Sequence, residues 1–357
     1  MKFLKLISIS LLILLSSNGL LSQSKPTIKS ALSGFKFRSI GPAFMSGRIA
    51  DIVIDPKNEN VWYVAVGSGG VWKTTNAGTT WKSLTENQSF YSTGCLALDP
   101  QNNASIWLGT GENVGGRHVG IGHGLYHSSD GGKTWQEKGL KKSEHISKII
   151  VHPTNPNIVW VASQGPLWSK GGERGMYKTI DGGKTWKNTL NVNEWTGATD
   201  VVIDPTNPDI LYCATWQRHR NVAVYMGGGP GTSIYKSTNG GETWNKIDNG
   251  IPKSNKGKIG LAISPMKPNV LYAAVELELR KGAVYRTDNS GGNWKMMSNT
   301  VSGGTGPHYY QELVASPHHF DRIYLMNVRM LISDNGGKNF YTMTERRTHA
   351  DNNALAF

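Results

Sequence analysis

The sequence predicts an all-β fold: a β-propeller of four-stranded antiparallel blades with Asp-box hairpins, about six blades present and a seventh begun. Three observations carry this. A Ser/Thr-x-Asp/Asn-x-Gly-x-Thr-Trp box recurs along the chain, and an apolar run ending in a polar residue and proline recurs in step with it. The 43 Gly and 12 Trp among 357 residues argue for tight turns beside large rings rather than for long helices.

The boxes run Thr74 to Trp81, Ser128 to Trp135, Thr179 to Trp186 and Ser237 to Trp244, with degenerate copies at Thr287 to Trp294 and Ser333 to Phe340. Their final aromatic residues are spaced by 54, 51, 58, 50 and 46 residues. The second marker is Ile52-Val53-Ile54-Asp55-Pro56, then the runs ending at Pro100, Pro153, Pro205, Pro265 and Pro317. Between the markers lie two more apolar stretches, such as Val61 to Ala65 and Gly175 to Lys178. Short β-branched and aromatic runs bounded by Asn-Pro and Gly-Gly read as four antiparallel strands per repeat, the unit of a propeller blade. The proline ends the first strand by removing a donor. In the box, Asp or Asn accepts backbone hydrogen bonds, Gly supplies a positive φ, and Trp is expected to bury its ring against the blade. The boxes are therefore read as folding devices, so Asn76, Asp130, Asp181, Asn239, Asn289 and Asn335 are not candidates for catalysis.

Lys2 and Lys5 precede an apolar run from Leu6 to Leu15 and then small and polar residues to Ser22-Gln23, the pattern of a cleavable signal peptide. Residues 1–22 are assigned to it, 23–34 to a linker and 35–357 to the propeller. No Cys lies near the cleavage point to carry a lipid, and no other run reaches bilayer length. The expected product is secreted or periplasmic, without a transmembrane segment. Cys95 and Cys213, in different repeats and inside apolar runs, read as two buried free thiols. The net charge of +13, or +11 without Lys2 and Lys5, permits attraction to acidic surfaces or polyanionic glycans. The basic residues are scattered, and nucleic acid is not an expected partner.

The boxes, the stretch Gly41 to Ile49 (Gly-Pro-Ala-Phe-Met-Ser-Gly-Arg-Ile) and the segment Gly109-Thr110-Gly111-Glu112 give the chain a family likeness. It resembles the exported bacterial proteins with sortilin/VPS10-type and BNR (Asp-box) repeats, often labelled glycosyl-hydrolase-like, over residues 35 to 357. The same box occurs in sialidases, xyloglucanases, sortilin receptors and photosystem assembly factors, so the resemblance implies the fold and leaves the activity open. Members of this group continue beyond a His-Ala-Asp segment, here His349-Ala350-Asp351. The chain is thus expected to be truncated, its ring closed by a continuation or by the segment near Phe35 to Arg38.

Glycoside hydrolysis needs two carboxylates across the sugar. Xyloglucanase-like propellers carry one acid in a Thr-Asp-x-Gly-Gly segment of the first blade, and here Val66-Gly67-Ser68-Gly69-Gly70 places Gly67 at the acid's position. The sialidase Phe-Arg-Ile-Pro segment is also unmatched, the chain reading Phe37-Arg38-Ser39-Ile40-Gly41-Pro42.

Three clusters are candidates for the central funnel, where propellers hold ligands. The first is Gly109 to Glu112 with Arg117 and His118; Arg48, in the Gly41 to Ile49 stretch, is a separate binding candidate. The second is Trp216-Gln217-Arg218-His219-Arg220. The third joins His308, Tyr309 and Tyr310 to Arg329, Arg346, His349 and Asp351. Aromatic rings stack on sugar or peptide groups and arginines grip carboxylates. Glu112 and Asp351 are the acids nominated for catalysis. The spacing of His118, His123, His308, His349 and Asp351 matches no closed zinc pattern or calcium loop, so neither metal nor cofactor is expected. The leading expectation is a funnel or rim that binds a peptide, glycan or protein partner. The alternative is a glycoside hydrolase acting on a polysaccharide, and a pure scaffold is the third reading.

Overall fold

Each apolar run before a proline forms the first strand of a four-stranded sheet. The first strands are Ile49–Asp55, Thr93–Leu98, Ile146–Val151, Thr196–Ile203, Lys256–Ile263 and Leu313–Ala315. In this computed structural model residues 27–28, 33–34, 47–116, 119–300, 312–344 and 351–357 are described. Residues 46–357 form one unit, apart from 1–45. The segments assigned to a signal peptide and linker, and the closing strand expected near Phe35, lie almost wholly outside the described residues.

Six antiparallel sheets follow one another, each pairing its strands in sequence order, and together they form a β-propeller. They are numbered here as blades 1 to 6. Blade 4 inserts a small hairpin, His219–Arg220 with Tyr225–Met226, between its second and third strands. Residues 351–357 then lie against blade 6 as the start of a seventh repeat: the Asp351 and Asn352 N–H groups donate to the carbonyls of Val328 and Asn327, and Phe357 meets Tyr324 and His318. No helix among the described residues is long and apolar enough to cross a membrane.

The hydrophobic core lies between blades rather than within them. Tyr63, Val71, Leu96, Leu108 and Tyr126 join blades 1 and 2, while Tyr212, Ile234, Leu261, Val275 and Trp294 join blades 4 and 5. Cys95 and Cys213 are buried free thiols in this core, and burial pushes both thiol pKa values up. A sheet with two apolar faces needs neighbours on both sides, so each blade depends on the next.

The boxes reinforce those interfaces. In blade 3 the Thr179 hydroxyl donates to Asp181 at 2.7 Å, and Asp181 accepts from the Thr185 N–H and hydroxyl at 3.0 and 2.6 Å. These bonds hold the exposed Asp181 and Asp130 carboxyls well below the usual range, the Thr185 or Thr134 hydroxyl contributing most. The box tryptophan reaches outside its own blade. Trp186 donates its indole N–H to Lys138 of blade 2, and Trp294 to Ile247 of blade 4. Trp81, in the first box, is 41% exposed and meets Trp62 instead.

A second device repeats in register. Opposite the residue before each box stands an aromatic of the second strand, pairing Tyr63 with Lys73, Trp107 with His127, Trp160 with Lys178, Tyr212 with Lys236 and Tyr272 with Arg286. The lysine ammoniums lie 4.8 to 5.9 Å from the ring centres. In blades 3, 4 and 5 the cation then reaches onward: Lys178 to Glu242, Lys236 to the Ser290 carbonyl, Arg286 to Asp321.

In such a meander the box turns fall at one end of every blade. The loops between second and third strands, and the links to the next blade, fall at the other. All the candidate residues that the structure describes sit at this second, loop end.

Candidate functional site

Residues five places before the repeat prolines point inward: Asp51, Lys148, Asp200 and Glu312, with Gly260, line a central cavity of about 290 Å³. One residue earlier, Ala50, Ser147 and Thr199 are extra residues that break the pairing register. Gly94 does the same in blade 2, where Cys95 packs into the core. A bulge at one place in successive first strands turns the following side chain toward the axis. Asp51 accepts the Leu96 N–H of blade 2 at 2.9 Å, and Asp200 the Leu261 N–H of blade 5 at 2.8 Å. The enclosing protein raises both carboxyl pKa values against the pull of Lys148. Lys148 opens to the cavity yet has protein on every side. Desolvation lowers its pKa, and Asp51 and Asp200 more than reverse that. Lys258 of blade 5 pairs with Glu312 at 2.5 Å. None of these channel residues was among the sequence candidates, although the fixed distance to proline was there to be read.

Glu112 closes the loop end of the cavity. Gly111, at a φ of +86°, turns the chain after the second strand of blade 2 and sends Glu112 inward, where it is 2% exposed. The Arg48 Nε–H donates to its Oε1 at 2.8 Å and the Gly120 N–H to its Oε2 at 2.6 Å. The pair comes from blade 2 and from the residue preceding blade 1. Gly67, whose N–H donates to the Arg48 carbonyl, lies beside it: a Cβ there would stand 2.4 Å from Glu112 Oε1. The carboxylate of Glu112 therefore fills the side-chain space at the position where the resemblance placed an acid. The carboxylate nominated as a catalytic acid is thus nearly enclosed and holds two hydrogen bonds, while still bordering the cavity.

Trp216 and Arg218, expected to line the funnel surface, are buried instead. The Trp216 indole donates to the Gly227 carbonyl at 2.8 Å. Residues 113–115 of the blade 2 loop lie over them, and cations from other blades take their carbonyls: Lys258 that of Asn113, Arg218 that of Val114, Arg220 that of Gly115. Gln164 of blade 3 also donates to the Asn113 side chain. Val114, Val119 and Leu167 form a small apolar cluster here with Tyr225 packed against it. His145, beneath the loop, shares a hydrogen bond with the Glu112 carbonyl at 3.0 Å. Burial, then Arg218, hold its pKa well below the usual value.

The third cluster divides. Arg329 is exposed on the blade 6 turn and Asp351, at a φ of +69°, lies against that turn rather than in the cavity lining. Arg117, His118, His308, Tyr309, Tyr310, Arg346 and His349 lie outside the described residues. Among the described residues no three His, Cys, Asp or Glu side chains gather as a metal site.

Beside charged residues such as Lys170 and Glu194, the loop end exposes apolar and aromatic side chains. Tyr91 is 68% exposed in the link to blade 2 and Trp168 44% exposed in the blade 3 loop. Trp195 meets His219 in a tilted pair with ring centres 4.3 Å apart, and Val222, Val224 and Met226 stand out on the blade 4 hairpin. An enclosed polar channel with exposed aromatic side chains at the loop end characterises this β-propeller.

The comparisons agree with that class. Residues 123–260 match the family model described as "Sortilin, neurotensin receptor 3". The chain is 24% identical to a xyloglucanase of Hypocrea jecorina (strain QM6a), the alignment covering 74% of this chain and 34% of that protein. It thus spans about a third of the relative's length. In structure it is similar to an ancestral GH74 enzyme, with a TM-score of 0.62 and 25% identity over 83% of this chain and 38% of the other. YCF48 bound to D1 peptide shares the fold, at a TM-score of 0.52 and 17% identity over 84% and 83% of the two chains.

Proposed function

We propose that this propeller binds a polysaccharide through the aromatic rim of its loop end. The observation that carries the reading is the presence at that end of exposed Tyr91 and Trp168 and the half-buried Trp195–His219 pair, in a chain similar in sequence to a xyloglucanase. Flat aromatic faces stack on sugar rings, and an exposed one costs little to hold ready. Export by the leader at 1–22 belongs to the same reading, and N-terminal sequencing of the released protein checks it.

The test is titration of the folded chain with xyloglucan, and with bacterial and host polysaccharides as controls, beside Trp168→Ala. Loss of the ring weakens binding roughly threefold to tenfold while the unfolding midpoint stays put. Equal binding by Trp168→Ala removes Trp168 from the rim site. Absence of binding to every glycan ends the proposal.

The second reading is hydrolysis of the same polysaccharide, favoured by the names of the relatives. It needs an acid reachable by substrate. Of the two nominated, Glu112 is enclosed by Arg48 and Gly120, which supports binding over hydrolysis.

A further inference from the structure

Beneath the loop end, buried guanidinium groups outnumber the acids that answer them. Arg174 of blade 3 is satisfied by carbonyls, donating to Gln164, Pro166, Ser169 and Gly171. Arg218 and Arg220 are not. Arg218 Nη1 donates to Val114 and Arg220 Nη2 to Gly115, while Arg218 Nε, Arg218 Nη2 and Arg220 Nε are buried without a hydrogen-bond partner. Glu144 is the one carboxylate that acts on Arg218 across space, and among the described residues no ion pair joins them. The other nearby acids are committed, Glu112 to Arg48 and Glu173 to the Lys142 N–H.

The two arginines are held where they are by backbone contacts, so the orphan donors are not loose ends of a mobile chain. The Arg220 N–H donates to Leu167 at 3.0 Å, and the Arg218 guanidinium stacks 5.1 Å from the Trp216 ring. Burial without an answering charge pulls the Arg218 pKa down to about 9. A guanidinium in such a place gains most from a negative partner on its free donors, because charge-assisted bonds strengthen where water is excluded.

We propose that Arg218 receives a buried inorganic anion of halide size, which ties together the loops of blades 2, 3 and 4. The size follows from enclosure: Arg218 is 1% exposed, and Gly115 fits against Tyr225 and Trp216 so closely that even a Cβ there collides with the Tyr225 hydroxyl at 2.1 Å. Donors so enclosed suit a monatomic anion, which needs little more room than a water, better than a carboxylate carried on a larger molecule.

The experiment uses the full chain, its thermal unfolding followed from about 1 mM to about 100 mM sodium chloride or bromide, with sodium gluconate holding ionic strength constant. Because ligand binding to the folded state alone shifts stability by RT ln(1 + L/Kd), L being the free ligand concentration, the midpoint rises by several degrees with halide, in proportion to its logarithm once the concentration exceeds Kd. The rise disappears in Arg218→Met. Crystals grown in bromide supply a readout independent of that variant's folding: an anomalous peak at hydrogen-bond distance from Arg218 Nε or Nη2 supports the site. A midpoint indifferent to halide, or bromide-grown crystals with no peak at Arg218, overturns it and leaves a buried water on the donors.

Discussion

Replacing Gly67 by alanine tests whether the Glu112 carboxylate is a fixed part of the frame. Gly67 is not among the positive-φ glycines, so alanine is allowed by the backbone and the effect isolates the side chain. The new methyl would stand 2.4 Å from Glu112 Oε1 and 3.0 Å from its Cδ and Cγ. Relief requires the carboxylate to retreat from Arg48 Nε or from the Gly120 N–H. A charge-assisted hydrogen bond contributes about 1.5–3 kcal/mol, and added crowding brings the expected cost to roughly 2–4 kcal/mol. Glu112→Ala on its own costs about 1–3 kcal/mol, because Arg48, at 27% side-chain exposure, recovers some hydration. With the carboxylate gone there is space at 67, so the double variant costs little more than Glu112→Ala. The coupling from a urea-denaturation double-mutant cycle is then close to the whole Gly67→Ala cost, roughly 2–4 kcal/mol. Additivity to within about 0.5 kcal/mol refutes the contact.

Three further outcomes follow from the same geometry. Asp181 has its pKa depressed chiefly by the Thr185 hydroxyl, so its contribution is present above the unfolded value of about 3.9 and lost as pH falls below it; Asp181→Asn therefore lessens the stability lost between about pH 4 and pH 2 in acid titrations of unfolding. Glu276 is pushed up to about 7 by burial. The unfolded chain ionises it first, stability falls as pH rises from about 4.3 to about 7, and Glu276→Gln flattens that fall in midpoints measured across the range. Lys178→Met removes the bond to Glu242 and the approach to the Trp160 ring, lowering unfolding free energy by about 1–2 kcal/mol; an unchanged denaturation midpoint contradicts the inter-blade role.

The blades were legible because two local signals, the box and the proline-ended run, repeat at blade length. Even the inserted hairpin of blade 4 left a trace in the 58-residue spacing from Trp186 to Trp244, the longest of the series. The ladder of Tyr63 with Lys73, Trp160 with Lys178 and Tyr212 with Lys236 was equally periodic, but a single aromatic or lysine in a strand carries no meaning until register pairs them. The inward residues Asp51, Lys148 and Asp200 stand just ahead of the apolar runs and were overlooked because a bulge, not alternation, aims them. The site was harder to read for a different reason. Glu112 in a glycine-rich loop has the local look of a reactive acid, and only the folded chain sets it against Arg48 and Gly67. Trp216 and Arg218, candidates for the funnel lining, lie at the loop end but are buried. Their cover is the blade 2 loop at Val114 and Gly115, about a hundred residues earlier in sequence. Nothing within the Trp216 to Arg220 segment announces such a cover.

The most direct test of the account compares the folded chain with Glu112→Gln, measuring both xyloglucan binding and reducing-sugar release. The account predicts that both proteins bind and that neither releases sugar. Release by the native chain that Glu112→Gln abolishes, with binding intact, would make Glu112 a catalytic acid and contradict its role as an anchor.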